Sequence, residues 1–284
     1  MRVDPITAPD VPRVAEFLHD HLNRRLGPDV WARSLTVPWK VDAPNHGFML
    51  TDGPTVVGAY LAFYSERVID GRAERFCNLG PWCVRPDYRF HSVRLLKALL
   101  AQPGYHFTDL SPSGNVLGIN QRLGFTRLDP ATALVPNLPW PTWPGRRRTV
   151  SSDPAVIEPA LTGPELQLYR DHGGAAAARH LLLVDGDAHC YVVFRKDRRK
   201  RLPVFATFLY VSDPELFARM ARQLARHLLV RHGALASLAE LRVVGRRPRP
   251  SLLLAEHRPK MFRSASLAPD RVDYLYSELT CVAW

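Results

Sequence analysis

Arg85, Arg89 and Arg94 crowd one short stretch, VRPDYRFHSVRLL, where a polar turn stands between an apolar run and an amphipathic one. Guanidinium groups at the start of a helix, where free N–H groups and the helix dipole favour anions, make a site for phosphate. Downstream, HFTDLSPSGN sets Asp109, Ser111 and Ser113 at the end of an apolar strand. Asp109 there can accept a proton from an incoming nucleophile, and Ser111 can give one to a leaving group. The same residues also suit a local Asp-x-Ser-Pro-Ser turn, and the sequence leaves both roles open. Glu66, after the run TVVGAYLAFYS, is a second candidate base or a solvated carboxylate at a hairpin end. His91 has an ordinary pKa suited to proton exchange near neutrality, yet it stands in the phosphate turn, where a helix-start role is simpler.

Positioning these groups requires a frame, and the periodicities supply one. Val11, Val14, Phe17, Leu18 and Leu22 share one helical face in 11–25, with Asp10 as the expected N-cap. GFMLTDGPTVVGAYLAFYSERV holds two apolar runs around Asp52-Gly53, a hairpin signal, and ERFCNLGPWCV is a further strand. Residues 89–101 form a helix that turns Val93, Leu95, Leu96, Leu99 and Leu100 inward and ends at Pro103-Gly104. A strand, HFTDL, and a short helix closing on Gly124-Phe125 follow. In such a sheet the polar residues after HFTDL sit at the carboxyl edge, where α/β ligands usually bind.

This order and these residues resemble the GCN5-related N-acetyltransferase superfamily. The shared frame is a strand, a V-x-P-x-Y-R turn, a pyrophosphate loop, a helix, a strand, and a helix ending in Gly-Phe. Here Val84, Pro86, Tyr88 and Arg89 match the turn, and Gly124-Phe125 the end. The resemblance covers about residues 1–130. It implies acyl transfer from acetyl-CoA, or a longer acyl-CoA, to a primary amine of a small molecule or amino sugar. It also assigns the acyl-CoA to Trp82, Cys83 and Val84 at the strand end, and to Arg89, Phe90, His91, Ser92, Val93 and Arg94 at the loop. A backbone N–H of the strand would steady the oxyanion, and Pro81, having none, leaves Trp82, Cys83 or Val84 as donors. The chain departs from the family pattern at Phe90 and Ser92, which replace loop glycines. Phe90 is expected to displace or partly close the loop. Asn120 stands where many members carry the tyrosine that protonates the thiolate.

The second half repeats the order. HLLLVDGDAHCYVVF has two runs around Asp185-Gly186, LPVFATFLYV is a strand ending in a Ser-Asp-Pro turn, PELFARMARQLARHLLV is a helix, and LAELRVVG reads as a short strand. The expectation is an α/β chain of two mixed-sheet halves with flanking helices: an acyl-CoA-binding domain at 1–135, a Pro/Trp-rich linker at 136–164, and a degenerate copy at 165–284 that does not bind the cofactor. Trp140 and Trp143 either line an acceptor pocket or cement the linker.

Composition narrows the partners. The 284 residues carry a net charge of +11, largely from arginine, without the interleaved aromatics of a nucleic-acid module. Nucleic acid is therefore an unlikely partner, although a tRNA-dependent aminoacyl or peptidyl transferase relative stays open, as does a catalytically impaired binding protein. The runs 146–148, 196–201 and 246–249 read as solvated basic loops. No apolar run reaches the about 20 residues that span a bilayer, and the N-terminus lacks a hydrophobic signal core, so the expectation is a soluble cytoplasmic protein. Cys77, Cys83, Cys190 and Cys281 lack metal-ligand spacing and read as reduced core thiols. No metal is expected, and the oligomeric state is not legible.

Overall fold

The computed structural model describes residues 1–141, 148–199, 202–255 and 258–283. They form two compact units: Met1–Leu128 with Pro259–Val272 and Tyr276–Trp284, and Asp129–Arg258 with Asp273–Leu275. The expected boundary inside 136–164 is therefore displaced. The division falls after Leu128, and residues 148–151 and 154–160, expected as linker, are a strand and a helix of the second unit. Part of the Pro/Trp-rich stretch, including Trp143, Arg146 and Arg147, lies outside the described residues.

Each unit is an α/β structure on a seven-stranded mixed sheet. The first sheet holds β1 (Arg2–Pro5), β2 (Gly47–Asp52), β3 (Thr55–Ile69), β4 (Arg72–Val84), β5 (His106–Asp109) and β6 (Thr126–Arg127). A strand returning from far along the chain, Met261–Arg263, lies between β5 and β6. All neighbours are antiparallel except β4 and β5. Helices α1 (Val11–His21), α2 (Pro28–Leu35), α3 (Ser92–Leu100) and α4 (Gly114–Arg122) accompany this sheet. β3 is buried continuously from Val56 to Ser65, as a strand covered on both faces must be. Leu95, Leu96 and Leu99 of α3 pack with Tyr60, Ala62 and Tyr64 in one core. Asp10 does not cap α1; its carboxylate accepts from the Thr7 N–H and hydroxyl at 3.0 and 2.6 Å.

The second unit has β7 (Thr132–Pro136), β8 (Arg148–Ser151), β9 (Arg179–Asp185), β10 (Ala188–Arg199), β11 (Leu202–Val211), β12 (Ala236–Glu240) and β13 (Leu252–Leu253). With it come α5 (Pro154–Ala160), α6 (Gly163–His172), α7 (Pro214–Arg219), α8 (Ala221–His232) and α9 (Leu241–Val244). Its order, β8-β9-β10-β11-β12-β7-β13, matches the first sheet strand for strand. The sense of every pairing matches too, with β11 and β12 the one parallel pair. LAELRVVG, expected as a strand, is β12 only through Glu240; Leu241–Val244 then coil into α9. Among the described residues, no helix is long and apolar enough to cross a membrane. The four cysteines are free, three of them buried and Cys83 half-buried.

Candidate active site

β4 and β5 pair only briefly, Phe76 to Asn78 against His106 to Thr108. Beyond that, β4 continues to Val84 beside β3 while β5 ends at Asp109. A bulge marks the divergence: Tyr60 lies opposite Trp82 and Ala62 opposite Leu79, so Gly80 and Pro81 share the place of one residue. A bulge tolerates a proline, which cannot donate to the ladder, and it bends the strand. Gly80 is required there, because a Cβ would come within 2.5 Å of the Phe63 ring.

The divergence opens a cavity of about 560 Å³, lined by β4 from Gly80 to Val84, by Arg89 and Ser92 of the turn, and by Asp109, Ser111 and Ser113. Tyr60, the end of α1 at His21 and Leu22, and α4 at Asn115, Val116 and Ile119 also line it. The Arg85 N–H donates to the Val57 carbonyl at 2.9 Å. In an antiparallel ladder this alternation commits the Cys83 N–H to Ala59 and turns those of Trp82 and Val84 away from β3, toward the side that β5 has left. The Trp82 ring stacks on Tyr60, centroids 4.5 Å apart and nearly coplanar at 5°.

Asp109 is 4% exposed. Its carboxylate accepts from Asn120 Nδ2 at 2.8 Å and from the Ser111 backbone N–H. Burial, and then the charge of Glu278, push this carboxyl up to about 7, against the pull of those two donors. The turn role foreseen for Asp109 is present in the bond from the N–H two residues on. Ser111 donates its hydroxyl proton to Glu278 Oε1 at 2.8 Å. The phenol of Tyr60 is raised well above its usual range, first by burial and then by Asp109, and stays protonated. Burial also pushes the Cys83 thiol up to about 11, although Arg89 pulls the other way. Near neutral pH it is a thiol, a poor nucleophile.

The turn is wound as a 3-10 helix, Pro86–His91, leading straight into α3. Tyr88 donates its hydroxyl to Asp52 Oδ2 at 3.0 Å, tying the turn to the β2–β3 hairpin. Phe90 does not close the cavity as expected, because its side chain is 98% exposed. Among the loop residues assigned from sequence, Arg89 and Ser92 line the cavity, whereas Phe90, His91, Val93 and Arg94 do not. Glu66 is displaced from the chemistry altogether: it is exposed on β3 opposite Arg75, beyond the buried run, and outside the cavity lining. Sequence reasoning passed over Tyr60, Asn78 and Glu278. The first looked like one more core aromatic, and nothing near Glu278 announces it. Asn120 was noted only as an absent tyrosine, yet it is fully buried and holds Asp109.

In the second unit β11 is likewise bulged, near Leu209, and diverges from β12. The N–H groups at the start of α7 are already engaged: Asp213 Oδ1 accepts from Glu215 and Leu216, both at 2.9 Å. Helix α9 packs against β11, β12 and α7, with Val244 in the core of the unit. Trp140 meets the Arg222 guanidinium 5.2 Å from its ring centroid.

Solved structures with the same arrangement decide the fold. A GCN5-related N-acetyltransferase from Anabaena variabilis superposes with a TM-score of 0.58 at 8% identity, covering 92% of this chain and 72% of the other. The chain has the GCN5-related N-acetyltransferase fold. A probable N-acyltransferase from Enterococcus faecalis gives 0.56 at 13% identity over 92% of this chain and 72% of that one. A putative acetyltransferase from Pyrococcus horikoshii gives 0.54 at 13% identity over 96% and 92%. No protein-family model matches the chain, and no curated protein does.

Proposed function

We propose that the first unit is an N-acyltransferase that holds an acyl-CoA in the cavity between β4 and β5 and passes the acyl group to a primary amine of a small molecule or amino sugar. One observation carries this reading: a buried carboxyl with proton affinity near neutrality, Asp109, lines the same cavity as the end of β4 that carries the outward N–H groups of Trp82 and Val84. An amine is largely protonated near pH 7 and must lose a proton to attack a thioester, which Asp109 accepts. The N–H groups of Trp82 and Val84 would face the developing oxyanion, where preorganised donors have their greatest effect. The Cys83 thiol is held protonated, which favours direct attack by the amine over an acyl-cysteine intermediate.

The residues fit an acyl-CoA. Arg89 and Ser92 face the cavity from the turn and the start of α3, where a guanidinium and a hydroxyl can meet phosphate, and the Phe90 ring stands clear. The acyl-CoA would supply the activated thioester; this chain would supply the proton acceptor and the hydrogen-bond donors. Arg89→Ala should weaken acetyl-CoA binding about tenfold, the scale of one charge-assisted contact. Calorimetry checks this, and unchanged affinity would remove the turn from the site.

We read the second unit as a degenerate copy of the first that does not hold an acyl-CoA. The equal strand order supports a duplication. The Asp213 carboxylate at the start of α7 opposes phosphate binding there, and α9 lies across the diverging strands. Release of free CoA from acetyl-CoA, measured by thiol titration across a panel of amines and amino sugars, tests the function. Turnover of one amine with Asp109-dependent kinetics supports it, and CoA binding with no turnover across the panel favours a binding protein instead.

A further inference from the structure

Glu278, 167 residues beyond Ser111, stands behind the cavity wall and is tied to it through the Ser111 hydroxyl. It opens a short terminal helix, Glu278–Cys281, and is fully buried. Its anchors include two hydrogen bonds: its N–H donates to Asn78 Oδ1 at 2.9 Å, and its Oε1 accepts from the Ser111 hydroxyl at 2.8 Å. These anchors bracket Asp109. Asn78 lies opposite Thr108 in the β4–β5 register and donates to the Thr108 hydroxyl at 3.0 Å, and Ser111 is two residues past Asp109. Two buried carboxyls are thus held at one stretch of β5, where like charges cannot both ionise freely.

We propose that Glu278 is a positioning residue for Asp109: its buried charge keeps Asp109 avid for a proton, so that the far end of the chain tunes the base of the first unit. Among the described residues, titratable groups near this pair include Tyr60 on β3, Cys77 on β4, Cys281 on the terminal helix, where burial holds the thiol protonated, and Lys260, next to Met261, which lies opposite Asp109. Tyr60 and Cys77 are held neutral by burial, Cys77 at about 12, so neither adds a charge near pH 7. Asn120, from α4, is a neutral donor.

The kinetic side of this proposal rests on the acyltransfer reading; the ionisation side does not. The test is a carboxyl-carbon NMR titration of the full chain labelled in aspartate, with the Asp109 signal identified by its loss in Asp109→Asn. Glu278→Gln keeps the size of the side chain and an acceptor for Ser111. It should lower the Asp109 midpoint by about one pH unit or more, the threshold of strong coupling. The acidic limb of kcat/KM should move down with it, and Glu278→Asp should restore much of the limb. An unchanged Asp109 midpoint overturns the proposal. Should Glu278→Gln fail to fold, Ser111→Ala serves: losing its donor makes Glu278 harder to ionise, so the Asp109 midpoint should again fall, and constancy again refutes the coupling. If no amine is turned over by the wild type, the acyltransfer reading fails, yet the titration still decides the role of Glu278.

Discussion

Asp109→Asn should cut turnover by about 10²–10⁴-fold, the usual weight of a general base, and at the same time make the protein more stable above neutral pH. The two effects share one cause. Asp109 titrates near 7 in the folded chain, where burial opposes its charge, and at its ordinary 3.8 once unfolded. Between those values the folded state binds more protons, so stability falls as pH rises from about 4 to about 7 and stays low beyond. An amide carries no charge to desolvate and still accepts from Asn120 Nδ2. We expect a gain of about 1–2 kcal/mol at pH 8, on the scale of other relieved functional strain, fading as pH drops toward 4. Denaturant unfolding at pH 5 and pH 8 measures it, and equal stability of the variant and the wild type at pH 8 would argue that Asp109 is not strained by burial. The same titration should give wild-type kcat/KM an acidic limb near pH 7.

Gly47→Ala should be the most damaging small substitution in the first unit, at about 3–5 kcal/mol. Gly47 opens β2 opposite Leu61 with φ of +112°, and a Cβ would lie 2.2 Å from the Tyr60 carbonyl oxygen and 2.8 Å from Leu61 Cα. Those atoms are backbone and cannot swing aside. The strand pushed away would be β3, whose Tyr60 lines the cavity, so surviving protein should also lose activity. Gly53→Ala is the control: its φ of +56° is positive too, but nothing lies within 4 Å of the added carbon. That change should cost only about 1–2 kcal/mol, the left-handed penalty alone. Equal melting temperatures for the two variants would contradict the close-approach argument.

Local chemistry made much of this legible. Asp52-Gly53 and Asp185-Gly186 mark the β2–β3 and β9–β10 turns, because a tight hairpin demands positive φ and glycine supplies it. The order β4, turn, α3, β5 follows from apolar periodicity, and Asp109 was visible as the polar residue ending a strand. Its raised proton affinity was not, since that comes first from burial and then from the charge of Glu278, which no local pattern joins to it. The returning strand is three residues long and pairs with β5 and β6 across more than a hundred positions. Nothing in MFR distinguishes it from a loop. The domain boundary moved for the same reason: a proline-dense stretch reads as a connector unless the distant strands that pair with it are known. Phe90 misled in the opposite sense, because residue type cannot tell whether a bulky side chain points into a cavity or away from it.

The returning segment also sets an order of assembly. Residues 129–258, nearly all of the second unit, leave the ribosome between β6 and the strand that β5 and β6 both require. At ordinary synthesis rates that interval is on the order of ten seconds. Through it the first sheet stands with a gap beside β5, and Asp109 has neither Met261 opposite it nor Glu278 beside it. The nascent chain therefore carries the cavity wall at Asp109 before the strand Met261–Arg263 and Glu278 exist to contact it.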